Sequence, residues 1–432
     1  MRRPRRPPRR CRSESGSLGE RWETSPAERV DRTTRPSAPV PCPRAGCSRP
    51  GTEGLEERVV TGHVVIAPDK FKGSLTAPEV TEALATGLRR ARPDLDLRLV
   101  PVADGGDGTV AAAVASGYKQ VPVRATGPTG VIVDSAIAVH DETAVVELAA
   151  ASGLSLLAPG EVAPMTASSF GTGELIRAAL DEGARTIVLG VGGSASNDGG
   201  AGMLAALGAR IKGDGGAPVM TCGAGLLEVS EVDFSGLDSR LAETQVILAA
   251  DVDNPLTGEF GAARVYGPQK GADTAQVKLL DTALKSWGRR VSDEVGKDFT
   301  AEPGAGAAGG VGFAALAALS AQRRPGVDVV LEFVGFDGHL AGAGLVLTGE
   351  GALDEQTLRG KAPAGVAARA SAAGTPVIAV AGSCGITPEQ MRDAGISGAY
   401  ALADLEPDVE RSMANVVPLL VGLGEQIALA HL

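Results

Sequence analysis

HVVIAPDKFKGSLTAPEVTEALATGLRRA, residues 63–91, holds the two periods that decide the fold. Its first five residues, His63–Ala67, are a short β-rich run that reads as a buried strand. Val80, Leu84, Leu88 and Ala91 then recur at helical spacing. Thr76 and Glu79 stand in capping-box relation, with Pro78 in the first turn, so the start of the helix is marked as well. A strand running through a short polar loop into a helix is half of a parallel crossover unit.

The same order repeats outward along the chain. DLRLVPV precedes DGTVAAAVASG, RTIVLGV precedes DGGAGMLAALG, AGLVLTG precedes a capped turn and helix, and TPVIAVAG precedes TPEQMRDAG. Strands alternating with helices predict mostly parallel sheets covered on both faces. Two stretches break the rhythm. Residues 125–149 read as a β-meander turning at Asp141 and Glu142, and residues 273–296 as one long amphipathic helix, so a second domain is expected within the first. No fixed-period repeat occurs, which excludes solenoids and propellers.

Charge divides the chain into two different objects. Residues 1–58 hold 14 Arg, no Lys and 8 Asp or Glu, a net of +6, which leaves −17 of the total −11 for the remainder. The first part is rich in Pro, Arg and Ser without periodicity, a composition that cannot bury enough apolar surface to fold. It is read as a disordered, solvated tail that needs no nucleic-acid partner. No apolar run reaches the roughly 18 residues that span a bilayer, and no signal-peptide core follows the basic start, so a soluble cytoplasmic protein without a membrane partner is expected. Three of the five cysteines (Cys11, Cys42 and Cys47) fall in the tail, while Cys222 and Cys384 stand alone. That is neither a disulfide framework nor a zinc site. Histidines 63, 140, 339 and 431 are too scattered for a metal cluster.

The chemistry gathers where predicted strands end. PDKFKGS, ADGGDGT, GGSASNDGG, DVDNPL and TGEGALDEQT each place carboxylates, hydroxyls or lysines among glycines at a strand's carboxyl end, the edge at which parallel sheets bind ligands. Glycines before a helix let main-chain N–H groups turn toward an anion, and GVGGSAS leading into DGGAGMLAAL has that layout, as does KFKGS. Asp104, Asp107, Asp198, Asp251, Asp253, Glu350 and Asp354 would repel a phosphate unless some hold a divalent cation or accept a proton. Lys70, Lys72, Lys270 and Lys361 are the candidate charge stabilisers. Familiar nucleotide motifs are missing: Gly360 and Lys361 are followed by alanine, and Gly304, Gly306 and Gly309 follow a charged segment, not a strand.

At these loops the sequence resembles the glycerate kinase family of the bacterial, glyoxylate-pathway type. IAPDKFKGSLTA, PVADGGDGT, ELAAASGL, SSFGTGEL, GGSASNDGGAGML, DVDNPLTGEFGAARVYGPQKGA, GAAGGVGF and LTGEGALDEQTLRGKAPAGVA recur in order from about 63 to 382. The resemblance implies two α/β domains: a discontinuous flavodoxin-like parallel-sheet domain, 59–125 plus 325–432, and a mixed α/β domain, 126–324, inserted in it. It also implies ATP-dependent phosphorylation of D-glycerate, with 2-phosphoglycerate favoured over 3-phosphoglycerate. This chain departs from the pattern at Lys70, Asp107, Ser196 and Ala352, so no essential role is expected at 70 or 352.

On that resemblance, Mg2+-ATP is expected on Gly192, Gly193, Ser194, Ser196, Asn197, Gly349, Glu350, Gly351 and Lys361. Glycerate is expected near Lys72, Ser74, Asp251 and Asn254. Asp198 is the expected base, acting with Lys72 and Asp104, and Asp104 and Asp251 are the expected Mg2+ ligands. A kinase for another small hydroxy acid and a non-catalytic metabolite sensor remain as alternatives. A homo-oligomer is compatible with the pattern.

Overall fold

The computed structural model describes residues 62–432; the expected disordered tail, with its three cysteines, lies outside the described residues. The described residues belong to one compact unit.

The opening strand is β1 (His63–Pro68), and its two neighbours are β2 (Leu97–Leu99) and β11 (Ala343–Leu353). The sheet continues from β11 to β12 (Val377–Cys384) and β13 (Gly398–Ala401), and all four pairings are parallel. Counted along its own five strands, the order is 2-1-3-4-5, that of a flavodoxin-like doubly wound sheet. The period of two sorts its side chains. Val64, Ile66, Leu345 and Leu347 face helices Ala77–Ala91 and Val416–His431, whereas Val65, Ala67 and Val346 face helices Gly326–Phe333 and Ala362–Ala372. The first helix pair crosses at Gly87 and Gly424. A Cβ on Gly87 would lie 2.0 Å from the Val421 carbonyl oxygen, so only glycine permits that approach.

The capping signals read from the sequence are formed. The Thr76 N–H donates to Glu79 at 2.8 Å. Helix Thr274–Val295 starts on an Asp273–Gln276 capping box and stops at Gly296 in the left-handed region.

A second sheet is built from residues 119–324. It contains β3 (Lys119–Thr126), β4 (Ile132–His140), β5 (Thr143–Glu147), β6 (Thr186–Gly190), β9 (Gln245–Ala249) and β10 (Gln322–Arg324), in the order 10-9-6-5-4-3. The expected meander is there as the antiparallel run β3–β4–β5, turning at Asp141 with φ of 50°, and from β5 onward the pairing is parallel. One face of this sheet packs under helices Phe170–Asp181 and Thr274–Val295 around the fully buried Trp287. On the other face, Val145, Val188 and Ile247 meet Val110 and Val329 of helices Thr109–Ala115 and Gly326–Phe333. The latter helix also packs on the first sheet, so one helical layer serves both. Strands β7 (Arg210–Lys212) and β8 (Glu231–Asp233) form a small separate ribbon. No helix among the described residues is long and apolar enough to cross a membrane.

Candidate active site

The carboxyl ends of the two sheets face one cleft with two connected cavities. The larger, of about 650 Å3, lies at the switch point between β1 and β11 and is reached by Lys70, Lys72, Ser74, Glu350, Gly351 and Lys361. The smaller, of about 220 Å3, lies beyond β6 and β9 and is lined by Gly193, Ser194, Asp251, Tyr266, Gln269 and Lys270. Asp104, Gly106, Leu154, Gly192 and Gly193 belong to both and mark the junction.

On the first-sheet side, charges are packed in alternation. The Asp69 N–H donates to the Gly349 carbonyl at 2.8 Å, which fixes the loop after β1 to β11. Asp69 is buried, and desolvation drives its carboxyl up to about 7 although the Lys70 ammonium at 3.5 Å opposes this. Burial alone would lower Lys70, but the carboxylates of Asp69, Asp104 and Asp107 outweigh it and raise its pKa. Glu350 accepts from the Thr357 hydroxyl at 2.5 Å and from the Lys361 ammonium at 3.3 Å; desolvation still leaves its carboxyl above the ordinary range. Leu402, Val409, Met413 and Val416 give the far wall an apolar surface.

On the second-sheet side, the glycines bring main chains together. A Cβ on Gly192 would stand 2.6 Å from the Gly106 Cα, and one on Gly105 would stand 2.8 Å from the Gly326 Cα. Loops from both sheets thus touch at the junction, where Asp104 accepts from the Gly106 N–H at 3.2 Å. Asp251 accepts from the Gly326 N–H at 2.7 Å. Its side chain opens to the cleft, yet desolvation by the surrounding protein, followed by the Asp104 charge, moves its carboxyl up to about 6. Asn254 lies behind the wall, where its Oδ1 accepts from the Tyr266 hydroxyl at 2.6 Å.

The structure therefore brings together Lys72, Ser74, Asp104, Gly192, Gly193, Ser194, Asp251, Glu350, Gly351 and Lys361 from the expected set. It places the others elsewhere. Asp198 is fully buried off the cleft, where it accepts from the Ser169 N–H at 2.7 Å, the Ser169 hydroxyl at 2.8 Å, and the N–H groups of Gly200 at 3.1 Å and Gly202 at 3.2 Å. Two of the main-chain donors that the glycine-rich stretch offers, the N–H groups of Gly200 and Gly202, are filled by the protein's own carboxylate. Gly199 and Gly200 serve packing: a Cβ on either would meet Trp287 or Ala314 at 2.4 Å. Ser196 and Asn197 are wholly buried, with the Asn197 amide donating to the Pro164 carbonyl at 3.0 Å. Gly349 belongs to the sheet interior, since β11 runs on to Leu353 and a Cβ at 349 would strike the Val380 carbonyl oxygen at 1.9 Å. The sequence reading expects a base at 198 and nucleotide contacts at 196, 197 and 349, and in this structure none of the four lines either cavity.

Sequence reading missed Asp69, Glu147 and Tyr266. Asp69 lies in PDKFKGS and Tyr266 in VYGPQKG, both singled out, but only folding shows that they face a cavity. Glu147 ends β5 and accepts from the N–H groups of Gly108 at 3.0 Å and Val110 at 3.2 Å, tying the second sheet to the helix that begins beside Asp107. Among the described residues no three His, Cys, Asp or Glu side chains converge as a ready metal centre.

Comparison with known proteins agrees with this architecture. The profile of the glycerate kinase family matches residues 64–431. The glycerate kinase of Halalkalibacterium halodurans is 43% identical over 369 residues, covering 84% of this chain and 97% of that protein. The glycerate 2-kinase of Escherichia coli is 44% identical, covering 74% and 85% respectively. A crystal structure from Salmonella typhimurium LT2, assigned as a glycerate kinase 2, superposes with a TM-score of 0.73 at 41% identity and covers 85% of this chain and 98% of that one.

Proposed function

The chain belongs to the glycerate kinase family, and we propose that it transfers the γ-phosphoryl group of ATP to the 2-hydroxyl of D-glycerate. It is an ATP-dependent phosphotransferase that uses an alcohol group as acceptor. The observation that carries the more specific reading is the pair of unequal cavities meeting at Asp104. At about 650 Å3 the larger is in the usual range for a nucleotide-sized ligand, while at about 220 Å3 the smaller falls below it and suits a three-carbon acid. The 2-position is favoured by the 44% identity to the Escherichia coli glycerate 2-kinase.

In this reading the adenine lies against Leu402, Val409, Met413 and Val416, and the phosphates run past Lys70, Lys72, Ser74 and Lys361 toward Gly192 and Gly193. Lysines there act as point charges on the phosphate oxygens. Lys72 and Ser74 thereby move from the acceptor to the nucleotide. Mg2+ in such sites is held by one or two carboxylates together with substrate phosphates. Asp104 fits, because it faces both cavities and its charge already disfavours ionisation of Asp69 and Asp251, a repulsion that a cation would relieve. The ion would neutralise charge on the β- and γ-phosphates. Asp251, on the wall of the inner cavity, takes the proton from the acceptor hydroxyl, and its place at the reacting group sets that role. Asp198 instead holds the loop behind Gly192 and Gly193. Consumption of ATP suits a cytoplasmic enzyme.

The test is a coupled ADP-release assay with D-glycerate, tartronate, erythronate and lactate, with the phosphate position of the product read by NMR. Preference for D-glycerate and a 2-phosphate is expected. Equal turnover of lactate would point to a broader hydroxy-acid kinase, and glycerate binding without ADP release to a sensor.

A further inference from the structure

Lys270 is only 3% exposed, yet its side chain helps to line the smaller cavity. An ammonium has three protons to donate and is rarely buried without a charged partner. The Lys270 Nζ has one acceptor, the Ser196 carbonyl at 2.5 Å, and among the described residues no carboxylate lies in ion-pair contact with it. The opposing charge that acts on it is Asp198, and Asp104, Asp251 and Tyr266 share the cavity wall. Desolvation brings the Lys270 ammonium down to about 7, only partly opposed by Asp198. A cation so placed lacks an anion, and the cavity beside it has room for a small one.

We propose that the Lys270 ammonium is the receptor for the carboxylate of the acceptor, seated in the smaller cavity, so that recognition of an acid over a neutral alcohol depends on this side chain. The proposal rests on the reading that the acceptor occupies this cavity. The carboxylate would bring the buried ammonium the charge partner it lacks, and Ser196 would fix the direction of the third proton. The arrangement holds the carboxylate end of the acceptor at Lys270 and leaves its hydroxyl end toward Asp251 and the junction at Asp104.

The experiment compares D-glycerate with its neutral amide, glyceramide, in the wild-type enzyme, Lys270→Gln and Lys270→Met, and measures ADP binding in parallel as a check of folding. Loss of a charge-assisted hydrogen bond should raise the glycerate KM about 10- to 100-fold and leave glyceramide nearly unchanged, so that the preference for the acid collapses. If glycerate KM is unchanged and only thermal stability falls, Lys270 merely holds the loop and the inference is overturned while the cavity assignment stands. If instead ADP or ATP binding weakens with glycerate KM unchanged, the smaller cavity serves the nucleotide and the underlying reading fails. A measurement without substitution guards against unfolded variants. In the wild-type enzyme the ratio of kcat/KM for glycerate over glyceramide should fall between about pH 6 and 8 as the ammonium, at about 7, loses its proton; a flat ratio overturns the proposal.

Discussion

Gly106 and Gly192 meet main chain against main chain: a Cβ on Gly192 would come within 2.6 Å of the Gly106 Cα. One residue follows the first sheet and the other the second, so this contact sets the width of the junction between the cavities. Gly192→Ala must force the loops apart. Overpacking of this kind costs about 1–3 kcal/mol. We expect a lower melting temperature together with a fall in kcat/KM of about tenfold or more, measured by thermal denaturation and the coupled assay.

Asp198 and Asp251 should respond to the same substitution in opposite ways. Asp198→Asn turns one of the two buried acceptor oxygens into an NH2 donor set against the N–H groups of Ser169, Gly200 and Gly202, so it should lower stability by about 2–4 kcal/mol while changing kcat little in the folded enzyme. Asp251→Asn should leave stability within about 1 kcal/mol and lower kcat about 10²- to 10⁴-fold, the usual contribution of a general base. Denaturant unfolding with steady-state kinetics on both variants separates the roles.

Glu147 makes stability depend on pH. Burial, with the Asp107 charge adding to it, drives its carboxyl from 4.5 to about 7 in the folded protein. A carboxyl with a raised folded pKa stabilises the fold while protonated, fully below about pH 4.5, and that contribution is lost as pH rises toward 7. The loss is on the order of 3 kcal/mol. Glu147→Gln keeps an acceptor for the Gly108 and Val110 N–H groups but cannot ionise. Melting curves should show the wild type losing stability relative to Glu147→Gln from pH 4.5 to 7, and parallel curves would refute this.

Asn254 acts through Tyr266. Its Oδ1 orients the hydroxyl on the wall of the smaller cavity, so Asn254→Ala should raise the glycerate KM about 3- to 10-fold, the worth of one neutral hydrogen bond, and leave the ATP KM unchanged. Tyr266→Phe should reproduce the effect without adding to it in the double variant.

Much of this was legible along the chain because the signals are local. The apolar run His63–Ala67 and the Thr76–Glu79 box fixed a strand and a helix start through period and capping, and Asp273 and Gly296 bracket the long helix as their residue types require. The parallel class followed from alternation. The loops that line the cleft were readable too, since chemistry-bearing residues beside glycine stand out at strand ends.

Which side chains of a loop face the ligand was not readable, because it depends on partners distant in sequence. Asp198 and Gly192 lie six residues apart in one glycine-rich stretch, yet one is sealed against Ser169 and the other meets Gly106 at the cleft. A carboxylate takes the nearest unsatisfied N–H groups once helix Ala201–Ala206 is in place, and only packing against Trp287 and Ala314 decides that those groups point inward. Sequence alone determined the elements and the residue types at their ends. Tertiary structure decided which charges are buried, which remain without a partner, and which meet across the two sheets, because burial and long-range contact belong to the folded chain and to no segment of it.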